Sequence, residues 1–190
     1  MKEKNMPSNK FFATNSDKRL HRWGFKDSGF ELIKEKSVTF SGDRYEVSGT
    51  VMPDFIPYIE SVLGIDFNKE DQIEPVDSKP TQPPNIDQAF LESLKASFDE
   101  DRYTLDDMER LIHSHGQETF KDVYKVLYNA IDRTVDLVFY PESESEVKKI
   151  VDLAVRFNIC LIPYGGGTNV TRALTIPENE NRTVVSIDMR

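Results

Sequence analysis

Between Val135 and Gly167 the chain runs VDLVFYPESESEVKKIVDLAVRFNICLIPYGGG, and this order of elements narrows the fold more than any other feature. VDLVFY is a strand-length apolar run suited to burial on both faces, and Pro141 ends it. SESEVKKIVDLAVRFN reads as a helix. Ser143 is its cap, with Glu146 three residues on in a capping-box pattern, and Val147, Ile150, Val151, Ala154 and Val155 form the buried stripe. CLIPYG predicts the next strand and TVVSID, Thr183 to Asp188, a third. Strand, helix, strand is the signature of a parallel βαβ unit.

The earlier sequence differs in texture. Met1 to Asp17 is polar with only Phe11 and Phe12 to bury, which predicts a disordered leader over residues 1–18. Short strands at Val38–Phe40 and Tyr45–Val47 flank a Ser-Gly-Asp turn and predict a hairpin. DFIPYIESVLGI predicts a short helix with Phe55, Ile59, Val62 and Leu63 on one face and Gly64 as its stop. The run from Asp66 to Asn85, ending KPTQPPN, reads as a surface connector. Helical spacing returns at Phe90, Leu91 and Leu94 and again at Leu105, Met108, Leu111 and Ile112, with Asp87 and Thr104 as candidate N-caps. The acidic run FDEDRYTLDDMER reads as a solvated helical surface, and Trp23 and Phe25 as packing anchors. The expected fold class is therefore α+β: a mainly helical region over 19–130, then the opening of an α/β domain over 131–190.

Composition excludes several functions. A net charge of −9 disfavours sequence-independent nucleic-acid binding, which needs basic residues against phosphates. No apolar stretch approaches bilayer-spanning length, and Met1 to Lys18 has no apolar core of a secretory signal, which predicts an intracellular compartment. The single cysteine, Cys160, is expected to act as a small hydrophobe. His113 and His115 have the look of a metal pair but no third ligand at a plausible spacing, so no metal site is expected.

Three consecutive glycines after a strand call for an explanation, because glycine weakens regular structure. A P-loop would need Lys and Ser or Thr after the last glycine, whereas Thr168 and Asn169 follow Gly167. A Rossmann fingerprint finds Gly165 and Gly167, with Asp188 at the distance of a ribose-binding acid. Val170, however, replaces the third glycine, and Thr168 to Arg182, with Pro177 and ENEN, cannot supply a crossover helix. The remaining design is an anion nest, in which successive main-chain N–H groups of Gly165, Gly166 and Gly167, with the Thr168 hydroxyl, surround a pyrophosphate. Its alternative is a tight turn that only closes a strand.

PESESEV, IVxxA and IPYGGGTNV together resemble the first segment of the vanillyl-alcohol oxidase type (PCMH-type) FAD-binding domain. Upstream, WGFKDSGF (Trp23 to Phe30), RYEVSG (Arg44 to Gly49), PDF (Pro53 to Phe55) and RLIHSHG (Arg110 to Gly116) resemble, in this order, the alkyldihydroxyacetonephosphate synthase family. The resemblance implies FAD as cofactor, its pyrophosphate held by Pro163, Tyr164, Gly165, Gly166, Gly167, Thr168 and Asn169. Asn169 departs from the serine more usual there, and Arg172 stands where a small or aromatic residue is expected.

The family's reaction exchanges the acyl chain of acyl-dihydroxyacetone phosphate for a fatty alcohol, through an adduct on FAD, in ether-lipid synthesis. The resemblance also implies a peroxisomal setting, membrane-surface association and a homodimer. No peroxisomal signal is visible: Arg19-Leu20 begins one, but Lys26 stands where His or Gln is needed, and the chain closes Asp-Met-Arg. The family's catalytic residues belong to later sequence, so no catalytic residue is expected here. The chain is expected to be an N-terminal part of the synthase, inactive alone and without tight FAD binding. Two other readings stand beside it: another FAD-linked oxidoreductase acting on D-lactate or glycolate, and a non-enzymatic binding module.

Overall fold

The computed structural model describes residues 25–67, 82–116 and 119–190, which fall into two units divided between Glu74 and Pro75. The leader, Trp23 and most of the connector lie outside the described residues.

In the first unit, β1 (Gly29–Lys34), β2 (Ser37–Ser41) and β3 (Val51–Met52) form an antiparallel sheet in the order β1-β2-β3. The hairpin thus lies one strand earlier than the sequence suggested. Val38–Phe40 is a strand, but its partner is GFELIK, reached by a tight turn with Glu35 at φ 47°. Tyr45–Val47 is not a strand. It lies in a turn closed by Ser48 Oγ donating to the Gly42 carbonyl and by Gly49 N–H donating to Phe40 O at 2.8 Å. Phe30 stacks on Phe55 with ring centroids 5.0 Å apart and meets Phe40 edge-on at 4.9 Å. α1 (Phe55–Leu63) ends at Gly64 as expected, but Val62 and Leu63 are exposed.

The second unit is built on a four-stranded sheet in the order β4-β5-β7-β6, comprising β4 (Tyr103–Thr104), β5 (Leu137–Phe139), β6 (Cys160–Tyr164) and β7 (Val184–Asp188). β5, β7 and β6 are parallel and β4 is antiparallel to β5. The predicted βαβ unit is present, with β7 filling the space between its two strands. The expected division at residue 130 does not separate compact units, because β4 extends the same sheet and α2 (Gln88–Lys95) shares a core with α5 (Glu144–Phe157).

One apolar cluster brings together Phe90, Leu94, Leu137, Phe139, Ile150, Ala154, Val185 and Ile187. A second contains Val135, Val138, Ile162, Tyr164, Leu174 and Val184. The helical stripe of α5 is rotated from the predicted one: Ile150 and Ala154 are buried with Leu153 and Phe157 beside them, while Val151 and Val155 face solvent, Val155 being 79% exposed. Ser143 caps α5 through Glu146 N–H, but the Glu146 carboxylate accepts from Glu142 N–H, so the box is only half formed.

Capping decides the other helices. Asp87 accepts from Phe90 N–H at 2.8 Å and fixes the start of α2, whose Phe90 and Leu94 are fully buried. Asp87→Ala is expected to lower stability by about 1 kcal/mol, read from the urea midpoint at unchanged denaturant slope. α3 (Asp107–Ile112) is capped by Asp106, which accepts from Met108 and Glu109, while the predicted cap Thr104 is in β4 and accepts from Asp106 N–H at 3.0 Å. The acidic run is therefore broken into a 3-10 turn (Glu100–Arg102), a strand and a helix. α4 (Phe120–Leu127), which the periodicity did not reveal, has a full Thr119–Asp122 capping box.

Candidate cofactor-binding site

The glycine loop leaves the carboxyl end of β6, beside the carboxyl ends of β7 and β5, where open parallel sheets take their ligands. Pro163 and Tyr164 are the last residues of β6: Pro163 is exposed and Tyr164 is buried. Gly165, Gly166 and Thr168 are exposed, and a Cβ added at Gly165 would meet nothing within 4 Å. Gly167 has φ +69°, and a Cβ there would overlap the Tyr164 hydroxyl and come within 2.8 Å of its Cζ.

Positive φ in the loop falls on Gly167 and on Asn169, whose φ is 52°, and not on Gly165 or Gly166. Asparagine tolerates this region better than serine does, and Asn169 Oδ1 accepts from Leu174 N–H at 2.8 Å, stapling the loop internally. Arg172, at φ 58°, occupies a turn and donates its N–H to Asn169 O at 2.8 Å. Thus Gly165 to Thr168 form one largely exposed, side-chain-poor turn with no carboxylate between residues 163 and 169. Such a turn fits the pyrophosphate of FAD.

Under the loop lies a polar cluster that sequence reasoning did not assemble. The His113 ring is fully buried, with Nδ1 2.7 Å from Glu109 O, Nε2 3.1 Å from Asp188 Oδ2, and its centroid 4.3 Å from that of Tyr164. Asp188 also accepts from Arg190 Nε at 2.9 Å and Nη2 at 2.5 Å, and the Tyr140 hydroxyl donates to Glu109 Oε2 at 2.7 Å. Burial pushes the Asp188 carboxyl up, but hydrogen bonds from Arg190 and His113 and the Arg190 charge outweigh it and hold the group well below the carboxylate range. Burial and the Glu109 carboxylate push the Tyr140 phenol up, and burial does the same to Tyr164. Asp188 is therefore committed to internal partners and is not placed as a ribose-binding acid.

A carboxyl depressed on folding stabilises the protein above its unfolded pKa, and that contribution is lost as pH falls through the folded value. The unit should thus lose stability on acidification below about pH 4, the ordinary aspartate value. Asp188→Asn should flatten this part of a stability-against-pH curve.

His115 lies in the same segment but away from Asp188, its Nδ1 3.3 Å from Gly116 O. The rings of His113 and His115 thus have different surroundings. Nothing local in RLIHSHG says that His113 meets a residue 75 positions later.

Residues 135–190 match the FAD binding domain family. Alkyldihydroxyacetonephosphate synthase of Caenorhabditis elegans is 40% identical over 171 residues, covering 88% of this chain and 28% of that protein. The Dictyostelium discoideum protein of the same name is 33% identical over 176 residues, with the same two coverages. A solved structure of alkyldihydroxyacetonephosphate synthase superposes with a TM-score of 0.78 at 27% identity, covering 93% of this chain and 33% of that one. The chain spans about 28% of the length of these curated relatives, and FAD is the cofactor indicated. Across the matched spans the chain is a homologue of the alkyldihydroxyacetonephosphate synthases, and its residues 135–190 are part of an FAD-binding domain.

Proposed function

We propose that this chain contributes the pyrophosphate-binding loop of an alkylglycerone-phosphate synthase, and that the whole protein exchanges the acyl chain of acyl-dihydroxyacetone phosphate for a fatty alcohol, releasing a fatty acid. The observation that carries the reading is the exposed glycine turn at the carboxyl end of a parallel strand, in a chain homologous to the alkyldihydroxyacetonephosphate synthases. Pro163 and Tyr164 position the turn, Gly165, Gly166, Gly167 and Thr168 present main-chain and hydroxyl donors, and Asn169 holds the far side closed. Negative charge at such a ring of N–H groups is stabilised without any basic side chain. FAD, when bound, supplies the reactive flavin centre, while this chain's residues anchor and orient it.

The test is incorporation of a labelled fatty alcohol into dihydroxyacetone phosphate ether by a full-length protein carrying this sequence, with one fatty acid released per alcohol incorporated. Oxidation of D-lactate or glycolate without exchange would replace this reading with that of another FAD-linked oxidoreductase. The 190-residue chain alone is expected to neither turn over nor retain flavin through purification; stoichiometric flavin in it would overturn that expectation. Peroxisomal residence, homodimerisation and surface contact with membranes belong to the same reading. Among the described residues no helix is long and apolar enough to cross a membrane.

A further inference from the structure

The segment Arg110 to Gly116 precedes the FAD-binding match by some twenty residues, yet it touches the amino end of β5 and the carboxyl ends of β7 and β6. Arg110 Nε donates to Val135 O at 2.8 Å, and Ser114 Oγ accepts from Val135 N–H at 2.8 Å, so both backbone groups leading into β5 are held. His113 reaches the end of β7 through Asp188. Glu109 O and the Asp188 carboxylate are both acceptors, so each ring nitrogen faces a group suited to an N–H. The same ring packs on Tyr164, the residue that backs Gly167.

Gly116 then meets the glycine loop itself. It is buried, and a Cβ added there would overlap the Asn169 Cβ and lie 3.1 Å from both the Gly167 and Thr168 carbonyl oxygens. The absence of a side chain at Gly116 is what lets the two backbones come this close.

We propose that the HSHG end of α3 is a positioning brace that sets the shape of the pyrophosphate loop: Gly116 seats Gly167 to Asn169 directly, and His113 does so through Tyr164. The inference rests on the reading of that loop as the FAD pyrophosphate site. An anion nest works only if its amides converge before the ligand arrives, and an exposed loop with several glycines has little stiffness of its own. Packing against a helix end already fixed at β5 and β7 supplies it. Gly116 and His113 are thus positioning residues for cofactor binding.

The test uses the apo form of a full-length protein carrying this sequence, titrated with FAD by flavin fluorescence, with thermal unfolding recorded for each variant. Gly116→Ala is expected to weaken FAD binding at least about tenfold, as misplaced supporting groups do. His113→Asn, which leaves the loop sequence intact, should also weaken FAD binding about tenfold. It alone decides the matter if Gly116→Ala does not fold. Leu94→Ala, in the other apolar cluster, should lower the melting temperature while leaving FAD affinity unchanged.

Folded Gly116→Ala and His113→Asn proteins that bind FAD as the parent does would overturn the brace and leave the site standing. So would FAD affinity that merely follows melting temperature across all variants, Leu94→Ala included. Failure of the parent apo-protein to bind FAD would overturn the proposed site, and the brace with it.

Discussion

Gly165→Glu is expected to weaken FAD binding about 100-fold, roughly 2.8 kcal/mol at 1.4 kcal/mol per tenfold, with almost no change in folding stability. The separation of the two effects comes from the geometry. Gly165 lies outside the left-handed region and has open space where a Cβ would stand, so a side chain is accommodated without strain. Exposed substitutions of this kind stay within about 0.5 kcal/mol of the parent. The carboxylate nevertheless enters a turn that has no other acidic side chain and whose proposed ligand is a dianion. Part of the deficit is electrostatic and should shrink as ionic strength rises, whereas Gly165→Ala should lose much less and show no such salt response. Fluorescence titration of apo-protein at two salt concentrations measures both. Equal affinity for Gly165→Glu and parent would place the pyrophosphate elsewhere.

Arg110→Ala is expected to destabilise the second unit by about 3–5 kcal/mol, the range for breaking a buried charged network. Arg110 is only 1% exposed, and its guanidinium donates to Val135 O, Asp107 Oδ1, Gln82 O and Thr134 Oγ1 at 2.8 to 3.2 Å. Removing it leaves the Val135 and Thr134 oxygens buried without that donor and opens a cavity the size of the side chain. Arg110→Lys should recover little, because an ammonium group cannot reproduce a planar fork that serves four acceptors. Denaturant unfolding gives the difference directly. A loss below about 1 kcal/mol, the scale of an exposed ion pair, would show that the network contributes little.

The second unit's parallel core was legible in the sequence because its cues are local: an apolar run before Pro141, a capped amphipathic helix, a second apolar run and a glycine turn. The glycine turn is where it was expected, at the end of β6, although its positive φ angles fall on Gly167 and Asn169. β1 escaped notice because Glu31 interrupts its apolar residues Phe30, Leu32 and Ile33, all of which are exposed. A strand covered so little carries only a weak alternating pattern. Val151 and Val155 were assigned to the wrong face of α5 because valines occupy both sides of the helix, and only packing against Phe90 and Leu94 selects Ile150 and Ala154. The cluster under the loop was illegible for another reason. His113, Tyr140, Tyr164 and Asp188 come from four segments, and no spacing rule joins them until the sheet has brought their ends together.

The position of β7 bears on how the chain acquires its structure during synthesis. β7 is made after both of its neighbours yet lies between them, pairing Leu137 with Val185 on one side and Leu161 with Val185 on the other. All five of its residues are buried. A nascent chain that has released β5, α5 and β6 therefore holds two strands with no partner for their facing edges, and these are surfaces on which another chain can build. The gap between β5 and β6 is filled only once Asp188 clears the ribosome. Pairings across 48 residues form slowly relative to the local turns of α5. Slowing translation just after this strand should raise the yield of folded protein, and stalling just before it should direct the product toward chaperones or aggregation.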